Sequence, residues 1–266
     1  MKASDYKQSM ARKILVYGPP KSGKTDKVAQ LAEKKKLWWF DLEDGFKTVI
    51  HSPRIKPEWL NNIEVFRCAD TPMAPIGLMT LLKVIKGGEH KICDRHGAIN
   101  CLECSKNAAA GFTSINVSTF TNNDVLVIDS ASQLVNSSMN WIAKDIIAKE
   151  NFDWKPGWDE YGKQGFILNR IYGIVQQAFY NVVCISHEEL TDTEVPGQKK
   201  ITPVGGTSNF SKTFAKFFDD IAYCYIENGK HKIATSSTYR ANIITGSRAG
   251  KELEKMGNPS LLELFT

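Results

Sequence analysis

The sequence lacks the long apolar run, of roughly 18 residues, that a membrane-spanning helix requires. Residues 1–7 lack the apolar core of a signal peptide. Internal repeats, low-complexity segments and a large charge of either sign are also missing, since the net charge is only +5. This mild basic excess is compatible with nucleic acid but does not by itself indicate it. We therefore expect a cytoplasmic protein with no membrane segment.

A disulfide framework is also missing. Of the six cysteines in the 266 residues, three fall within 93–104, a spacing typical of metal binding in a reducing compartment. Hydrophobic content of 42% and charged content of 24% are ordinary for a folded chain. We expect residues 1–266 to form a single domain into which residues 88–122 are inserted.

The segment Gly18–Thr25 satisfies the phosphate-binding pattern G-x-x-x-x-G-K-[ST]. The apolar run Lys13–Tyr17 before it predicts a buried strand, and the apolar spacing of Asp26–Glu33 after it predicts a helix. This context favours a nucleotide site over an accidental Gly/Pro-rich turn. The predicted nucleotide contacts are Gly18, Pro19, Pro20, Lys21, Ser22, Gly23, Lys24 and Thr25.

Each residue type in this loop suits phosphate binding. Gly18 and Gly23 allow a tight turn and a close approach of the backbone to oxygens. The helix that follows directs free N–H groups at the same oxygens. Lys24 reaches the β- and γ-phosphates, and the Thr25 hydroxyl is a ligand for Mg²⁺.

Two further apolar runs end in acids. Leu37–Asp44 places Glu43 where it can orient or deprotonate a water, with Asp41 and Asp44 as alternatives. Asp124–Asp129 places Asp129 opposite Thr25 as a second Mg²⁺ group. A plain acidic exit from the first of these strands is the competing interpretation of Glu43.

A third buried strand, Asn181–Glu188, carries His187 near its carboxyl end. That histidine is either a sensor of the γ-phosphate or a core or capping histidine. Helices are predicted from Pro75 to Ile85, from Gln164 to Ala178 and over 211–218. Residues 105–122 and 189–210 are predicted to be polar loops, followed by strands at 220–226, 232–236 and 241–245 and a helical tail.

The segment 88–122 contains two C-x2-[CH] pairs, Cys93 with His96 and Cys101 with Cys104. Each pair can chelate one ion from a tight turn, and three cysteines with one histidine form a usual structural zinc set. His90 is a substitute ligand. The competing interpretation is three reduced thiols and a surface histidine.

With these pieces in place, the chain resembles the RecA-type recombinase core over most of residues 13–245. It is most similar to small phage-encoded RecA-like ATPases of the single-strand annealing (Sak) group. The resemblance implies an α/β fold with a RecA-like P-loop NTPase core, in which helices flank a mostly parallel central sheet. The zinc-knuckle-like insertion predicted from the Cys/His pairs is not part of that basic core. The matching stretches are Gly18–Thr25, Phe40–Glu43, Val125–Leu134, Ile185–Glu188, Gly205–Gly206 and Phe214–Tyr225.

The resemblance gives the ATPase roles to Lys24, Thr25, Glu43 and Asp129. His187 stands where the family usually has a glutamine that couples the γ-phosphate to the DNA loops. Segments 151–163 and 190–206 take the places of those loops, and Arg240 is the candidate cation for a neighbouring subunit's γ-phosphate, with Arg248 second. The candidate nucleic-acid contacts, which are otherwise ordinary surface residues, are Trp154, Trp158, Tyr161, Lys199 and Lys200.

The function expected from this resemblance is a DNA-stimulated, Mg²⁺-dependent ATPase that acts on single-stranded DNA in annealing or strand exchange. Its cofactors are ATP, Mg²⁺ and a structural Zn²⁺. Its partners are single-stranded DNA, a single-strand-binding protein and further copies of itself, in the host cytoplasm if a phage encodes it. The alternatives are a nucleotide-switched module that binds a protein partner, of the loader or packaging type, and a small-molecule kinase.

Overall fold

The computed structural model describes residues 11–71, 74–107, 109–149, 153–193 and 195–265. The strands are β1 (Lys13–Gly18), β2 (Lys36–Asp41), β3 (Ile63–Arg67), β4 (His90–Cys93), β5 (Phe112–Ile115), β6 (Asp124–Asp129), β7 (Asn181–Asp192), β8 (Lys199–Pro203), β9 (Asp220–Glu227), β10 (Lys230–Ala234) and β11 (Gly246–Ser247). The helices are α1 (Lys24–Ala29), α2 (Lys47–Ile50), α3 (Ile76–Val84), α4 (Leu102–Ser105), α5 (Ala131–Ile147), α6 (Trp158–Gln177) and α7 (Ser208–Phe214).

A nine-stranded sheet forms the centre of the molecule, with the order β10-β9-β1-β7-β6-β2-β3. The strands from β9 to β3 are all parallel, whereas β10 and β11 run antiparallel to β9 and β8 runs antiparallel to β7. The small hairpin of β4 and β5 is separate from this sheet. Because the central strands are parallel, their carboxyl ends lie along one edge.

Both faces of the sheet are buried, which explains the nearly continuous apolar strands. Neighbouring residues alternate between two cores: Phe40 joins the core beneath α3, α5, α6 and α7, and Trp39 joins the core beneath α1 and the carboxyl-terminal 3-10 turns. Among the described residues, no helix is both long and apolar enough to span a bilayer.

Two predicted loops and one predicted helix start are wrong. Residues 189–210 are not a long polar loop, because β7 extends to Asp192 and pairs with β8 in a hairpin. Residues 105–122 contain β5, which pairs with β4, and Ile115 and Phe120 are buried in the main core. Helix α6 begins at Trp158, not Gln164, because the Glu160 carboxylate accepts a hydrogen bond from the Gly157 amide (2.9 Å) and caps the helix.

The end of the chain also differs from the prediction. No strand covers 241–245; Ile243 makes a single bridge to Ile201, and the pairing with β9 comes from Gly246 and Ser247 instead. The predicted helical tail consists of two 3-10 turns, Leu253–Lys255 and Leu261–Phe265.

Candidate functional site

The P-loop connects β1 to α1 in the way its sequence predicts. Gly18 (φ 146°) and Gly23 (φ 88°) both have positive φ values. A Cβ at Gly18 would lie 2.1 Å from the Cys224 carbonyl oxygen of β9, so this position has no room for a side chain. Helix α1 begins immediately after Gly23, at Lys24.

The loop borders a cavity of about 370 Å³ at the carboxyl edge of the sheet. The strand register assembles this edge, since Gly18 pairs with His187, and Asp129 lies beside Ile185 on one side and Asp41 on the other. The residues that line the cavity are Lys21, Gly23, Lys24, Thr25, Asp26, Glu43, Thr48, Arg54, Asp129, Ser130, Ile185, His187 and His231.

The Lys24 ammonium lies over the P-loop and has no carboxylate within hydrogen-bond distance. Its Nζ donates to the carbonyl oxygens of Gly18 (2.9 Å) and Pro19 (2.8 Å). Burial lowers the pKa of Lys24, and the nearby acids Asp129 and Glu43 oppose this effect in part. An anion in the cavity would therefore meet a cation whose only hydrogen bonds within the described residues are to neutral carbonyl groups.

Asp129 ends β6 at the floor of the cavity. Burial raises the pKa of Asp129 to about 8, and the negative charges of Glu43 and Asp41 add to this effect. A buried carboxyl group that lacks a strong counter-charge, in the same cavity as the Thr25 hydroxyl, is a donor set that suits Mg²⁺. The residues present therefore fit the expected metal.

Glu43 lies between two polar partners from neighbouring strands. One carboxylate oxygen accepts a hydrogen bond from the Ser130 hydroxyl, and the other lies 3.4 Å from His187 Nε2. Burial raises the pKa of Glu43, but the hydrogen bonds from His187 and Ser130 and the charge of Lys24 outweigh burial and hold that pKa below its usual value. Glu43 is thus an ionised base facing the cavity.

The two alternatives to Glu43 are occupied elsewhere. The Asp41 carboxylate accepts hydrogen bonds from the amides of Gly45 (2.9 Å) and Phe46 (3.1 Å), so it stabilises the turn that follows β2. Asp44 pairs on the surface with Lys47 (2.6 Å) and Arg67 (2.8 Å). Of the three acids, Glu43 is the one that lines the cavity.

Sequence reasoning missed a second part of this site. Arg54 donates two hydrogen bonds to Asp26 Oδ2 (2.9 and 2.5 Å), and His231 of β10 packs against Gly23. These residues also line a smaller neighbouring cavity of about 260 Å³, next to the first turn of α1. No local motif marks Arg54 or His231, because each reaches the P-loop through the tertiary fold.

A comparison with protein-family models matches residues 10–248 to the AAA domain. The chain belongs to this family. With the strand order and the cavity at the carboxyl edge, this match confirms the predicted fold class, a RecA-like P-loop core with a mostly parallel sheet and flanking helices.

Among solved structures, the crystal structure of the RadB recombinase is similar, with a TM-score of 0.42 and 18% sequence identity over 84% of this chain and 79% of that chain. A similarity of this size says nothing about what this AAA-domain protein binds. No curated protein sequence matches the chain.

The Cys/His cluster of this family member lies in the segment between α3 and β6. The ligand atoms of Cys93, His96, Cys101 and Cys104 lie within 4.8 Å of one another. His96 Nδ1 lies 3.4 Å from the sulfurs of Cys101 and Cys104 and 4.0 Å from that of Cys93. A tetrahedral zinc site has sulfur–nitrogen edges of about 3.6 Å, which follows from Zn–S and Zn–N bonds of about 2.3 and 2.0 Å. The four groups therefore fit Zn²⁺.

The surroundings of the cluster favour the same four ligands. His96 Nε2 lies 3.8 Å from the Glu103 carboxylate, an outer partner typical of zinc-bound histidines. The substitute ligand His90 lies outside the cluster, since its Nε2 contacts the Gly87 carbonyl oxygen at 3.2 Å.

The predicted nucleic-acid contacts lie on two regular elements and one connection, not on two mobile loops. Trp158, which is 94% exposed, and Tyr161 lie on the first turns of α6, and Lys199 and Lys200 lie on β8. Trp154 lies half-buried before α6. Residues 151, 152 and 194 of the two segments lie outside the described residues.

The two candidate cations for a neighbouring subunit lie in different places. Arg240 is exposed, with its guanidinium 5.1 Å from the Tyr239 ring and 6.0 Å from the Tyr225 ring. Arg248 pairs with Asp219 (2.8 Å) at the amino edge of the sheet, opposite the cavity. The structure thus brings neither arginine to the cavity of its own chain.

Proposed function

We propose that this protein binds ATP with Mg²⁺ and hydrolyses it, and that it acts on single-stranded DNA in recombination. The observation that carries the first part is the convergence of Lys24, Glu43 and Asp129 on one cavity beside the P-loop. A cation, an ionised base and a metal-binding carboxylate in one cavity are the groups that phosphoryl transfer to water requires.

Each group has a stated role in this proposal. The P-loop amides and Lys24 bind the phosphates, and Thr25 and Asp129 hold Mg²⁺, which neutralises charge on the phosphate oxygens. Glu43 orients the attacking water and accepts its proton. Ser130 and His187 hold the Glu43 carboxylate in place, and His187 is also positioned to contact the γ-phosphate.

Strand β7 connects the cavity with the proposed DNA-binding surface. His187 lines the cavity, and the same strand, β7, continues into the hairpin that carries Lys199 and Lys200 on β8. A shift of His187 on binding a γ-phosphate would therefore move the base of the hairpin that carries these two lysines. With the exposed rings of Trp158 and Tyr161, and with Trp154, this hairpin supports binding of a single strand through stacking and phosphate contacts.

The remaining parts of the proposal follow from the resemblance to annealing-group (Sak) ATPases of phages. They are annealing or strand exchange, assembly of several copies with Arg240 reaching a neighbour's γ-phosphate, cooperation with a single-strand-binding protein, and action in the host cytoplasm. The single domain of residues 1–266 with an insertion at 88–122 belongs to the same proposal.

The test is ATP hydrolysis with and without single-stranded DNA across a salt series. We expect DNA to stimulate hydrolysis and its binding to weaken steeply with salt, because phosphate contacts release counterions. The double variant Lys199→Ala/Lys200→Ala should lose stimulation, whereas Lys83→Ala/Lys86→Ala removes the same charge from the exposed end of the α3 region and should keep it. Hydrolysis that ignores DNA, with no salt-sensitive binding, would refute the recombination part.

One observation favours a protein partner as the second candidate. A groove of about 630 Å³ between α5 and α6 is lined by the exposed rings of Trp141 and Phe166. Its cations, Lys144 and Lys163, are accompanied by Asp145 and Glu160 on the same helices, so this surface carries no clear excess of positive charge. Hydrolysis that DNA does not affect, together with a loss of partner binding in Phe166→Ala, would favour this function.

The Cys/His cluster holds Zn²⁺ in this proposal. Metal analysis of protein purified without chelators should find about one zinc per chain. The variant Cys104→Ser should lose the zinc, while Ser105→Ala, a change at the next residue, should retain it. Absence of zinc in the wild-type protein would refute the site.

A further inference from the structure

The turn that carries the ligand His96 contacts the end of a central strand. Gly97, the residue after His96, has a positive φ (64°). A Cβ at this position would lie 2.0 Å from the Arg67 carbonyl oxygen and 2.7 Å from Cys68 Cα. The backbone of the metal-binding turn therefore packs directly on the last residue of β3 and on the residue that follows it.

Two hydrogen bonds fix this contact. The Gly97 carbonyl oxygen accepts from the Thr80 hydroxyl of α3 (2.8 Å) and from the Cys68 thiol (3.4 Å), and all of these groups are buried. Within the turn, the Gly97 amide donates to the Cys93 carbonyl oxygen (2.8 Å). The ligands Cys93 and His96 are thus part of the same small turn that holds the end of β3.

The end of β3 in turn holds the loop that carries Glu43. The Arg67 guanidinium donates to Asp44 Oδ1 from Nη2 (2.8 Å) and Nε (3.2 Å). The Cys68 amide donates to the Asp41 carbonyl oxygen (2.9 Å). Asp41 and Asp44 flank Leu42 and Glu43. They are therefore hydrogen-bonded to Cys68 and Arg67, the two residues that Gly97 contacts.

We propose that a Zn²⁺ bound by the Cys/His cluster fixes the end of β3 and, through Arg67 and Cys68, the position of Glu43. This inference rests on the proposed ATPase function and extends it: the metal acts on the water-activating step from a distance. In it, Gly97 and Arg67 are positioning residues. The contacts form one continuous path from His96 through Gly97, Arg67 and Asp44 to Glu43.

The metal is needed because the turns of the module have few other restraints. Its ligands come from the end of β4, a tight turn and the four-residue helix α4, and these pieces are joined mainly by backbone hydrogen bonds. Ile92 is buried in the main core and anchors β4, but Leu102 of α4 is 78% exposed. Zinc binding supplies folding free energy to modules of this kind, so its removal should loosen the turn before it loosens the sheet.

The path also predicts what zinc should leave unchanged. The P-loop follows β1, which is separated from β3 by β7, β6 and β2. The phosphate-binding backbone is held by contacts with β9 and β10, on the other side of β1. Zinc should therefore set the rate of hydrolysis and leave the affinity for the nucleotide almost unchanged.

The first experiment compares the zinc-loaded full-length protein with Cys104→Ser, with Ser105→Ala as the matched control. We expect faster amide hydrogen exchange over residues 42–46 and at Cys68 in the zinc-free variant. ATP turnover should fall about tenfold or more, since a displaced catalytic group costs rate steeply. The affinity for ATP should stay within about twofold of the wild-type value, because the contacts that bind ATP equally in the ground state and the transition state are preserved.

The second experiment breaks the path while keeping the metal, and so covers the case in which zinc loss unfolds the chain. Arg67→Ala should keep its zinc, speed amide exchange over 42–46 and lower turnover, and Arg67→Lys should restore part of both. Arg170→Ala, a change at an exposed arginine of α6, is the control and should alter neither. Removing zinc from Arg67→Ala with a chelator should add little further loss of turnover, because both changes act on one path.

Either of two results would overturn the inference: unchanged exchange over 42–46 in both Cys104→Ser and Arg67→Ala, or a loss of ATP affinity that parallels the loss of turnover. A wild-type protein that holds zinc but never hydrolyses ATP would refute the proposed function instead. The exchange measurement would then still decide whether zinc fixes the loop.

Discussion

The polar groups at the two ends of the central strands differ in their surroundings. At the carboxyl edge, Lys24, Glu43 and Asp129 face a cavity, and burial shifts the pKa values of Lys24 and Asp129 toward their neutral forms. At the amino edge, Asp219 accepts from the Lys13 amide (3.0 Å) and pairs with Arg248 (2.8 Å). Within the described residues, Lys24 and Asp129 lack an ion-pair partner of the kind that Asp219 has in Arg248.

Further contacts at the amino edge follow the same rule. The Asn181 side chain accepts from the Arg12 amide (2.9 Å) and donates to the carbonyl oxygen of Asp124 (3.1 Å), which ties β7 to its neighbours. The Ser247 hydroxyl donates to Asp220 (2.6 Å). Burial also shifts the pKa values of Lys13 and Asp220 at the amino edge. The carboxyl edge differs in that its shifted groups, Lys24 and Asp129, face a cavity that can admit a ligand.

The largest expected effect is on ATP hydrolysis, and it should distinguish Lys24 from Lys13, which lie at the two ends of the segment formed by β1 and the P-loop. Lys24→Met should lower ATP hydrolysis by about 10²–10³-fold, because it removes the cation that stabilises the developing phosphate charge. It should leave the fold intact, since the Lys24 ammonium bonds only to two carbonyl oxygens. The control Lys13→Met should hydrolyse ATP like the wild type. Phosphate release and thermal unfolding of the three proteins check this prediction, and equal activity of the two variants would contradict it.

The second largest effect on hydrolysis is expected from a change at Glu43, the proposed base. Glu43→Gln keeps the size of the side chain but cannot accept a proton from water, so hydrolysis should fall about 10²-fold or more while ATP still binds. Glu227→Gln, at a surface glutamate paired with Lys232, is the control. Single-turnover hydrolysis and ATP titration measure the two quantities. If Glu43→Gln hydrolyses ATP normally, a group other than Glu43 activates the water.

A third prediction compares how substitutions at the two edges change the stability and the activity of the protein. Asp219→Ala should lower the free energy of unfolding by about 1–2 kcal/mol, because it removes the contacts with Lys13 and Arg248, one of which is solvent-screened. Its turnover per folded molecule should match the wild type. Asp129→Asn should do the reverse, losing hydrolysis without losing stability, since burial disfavours the charged form of the Asp129 carboxyl group and raises its pKa to about 8. Urea unfolding and turnover of both variants decide whether the edges differ in this way.

The smallest effect is a dependence of stability on pH. Burial lowers the pKa of Lys13 to about 8 from its usual 10.5, with Asp219 opposing in part. Below pH 8 the lysine is charged in both states and destabilises the fold. Between these two values the unfolded chain holds more protons, so stability should rise with pH. Urea unfolding from pH 7 to pH 10 should show this rise in the wild type, and Lys13→Met should lack it.

The positions of Lys24, Glu43 and Asp129 at the carboxyl edge could be predicted because the signals in the sequence are local. The glycines and lysine of the P-loop specify their own turn, Glu43 comes two residues after the end of the largely apolar strand β2, and Asp129 ends the apolar strand β6. Parallel pairing then brings these strand ends together without further information.

The parts that the sequence did not predict depend on distant pairing. The extension of β7 to Asp192 exists because β8 pairs with it, and β5 exists because β4 does. Arg54 and His231 reach the P-loop from separate parts of the chain. The early start of α6 could have been predicted from the sequence, since Gly157 and Glu160 have the spacing of a helix cap.

The most direct test of the account is thermal unfolding of the wild-type protein with Mg²⁺ and increasing ATP. If the carboxyl edge holds unpaired charge for a nucleotide, ATP binds only the folded state, and the midpoint of unfolding should rise with the logarithm of ATP concentration. Lys24→Met should show a much smaller rise, and Lys13→Met a rise like the wild type. A midpoint that ATP and Mg²⁺ leave unchanged in the wild type would contradict the account.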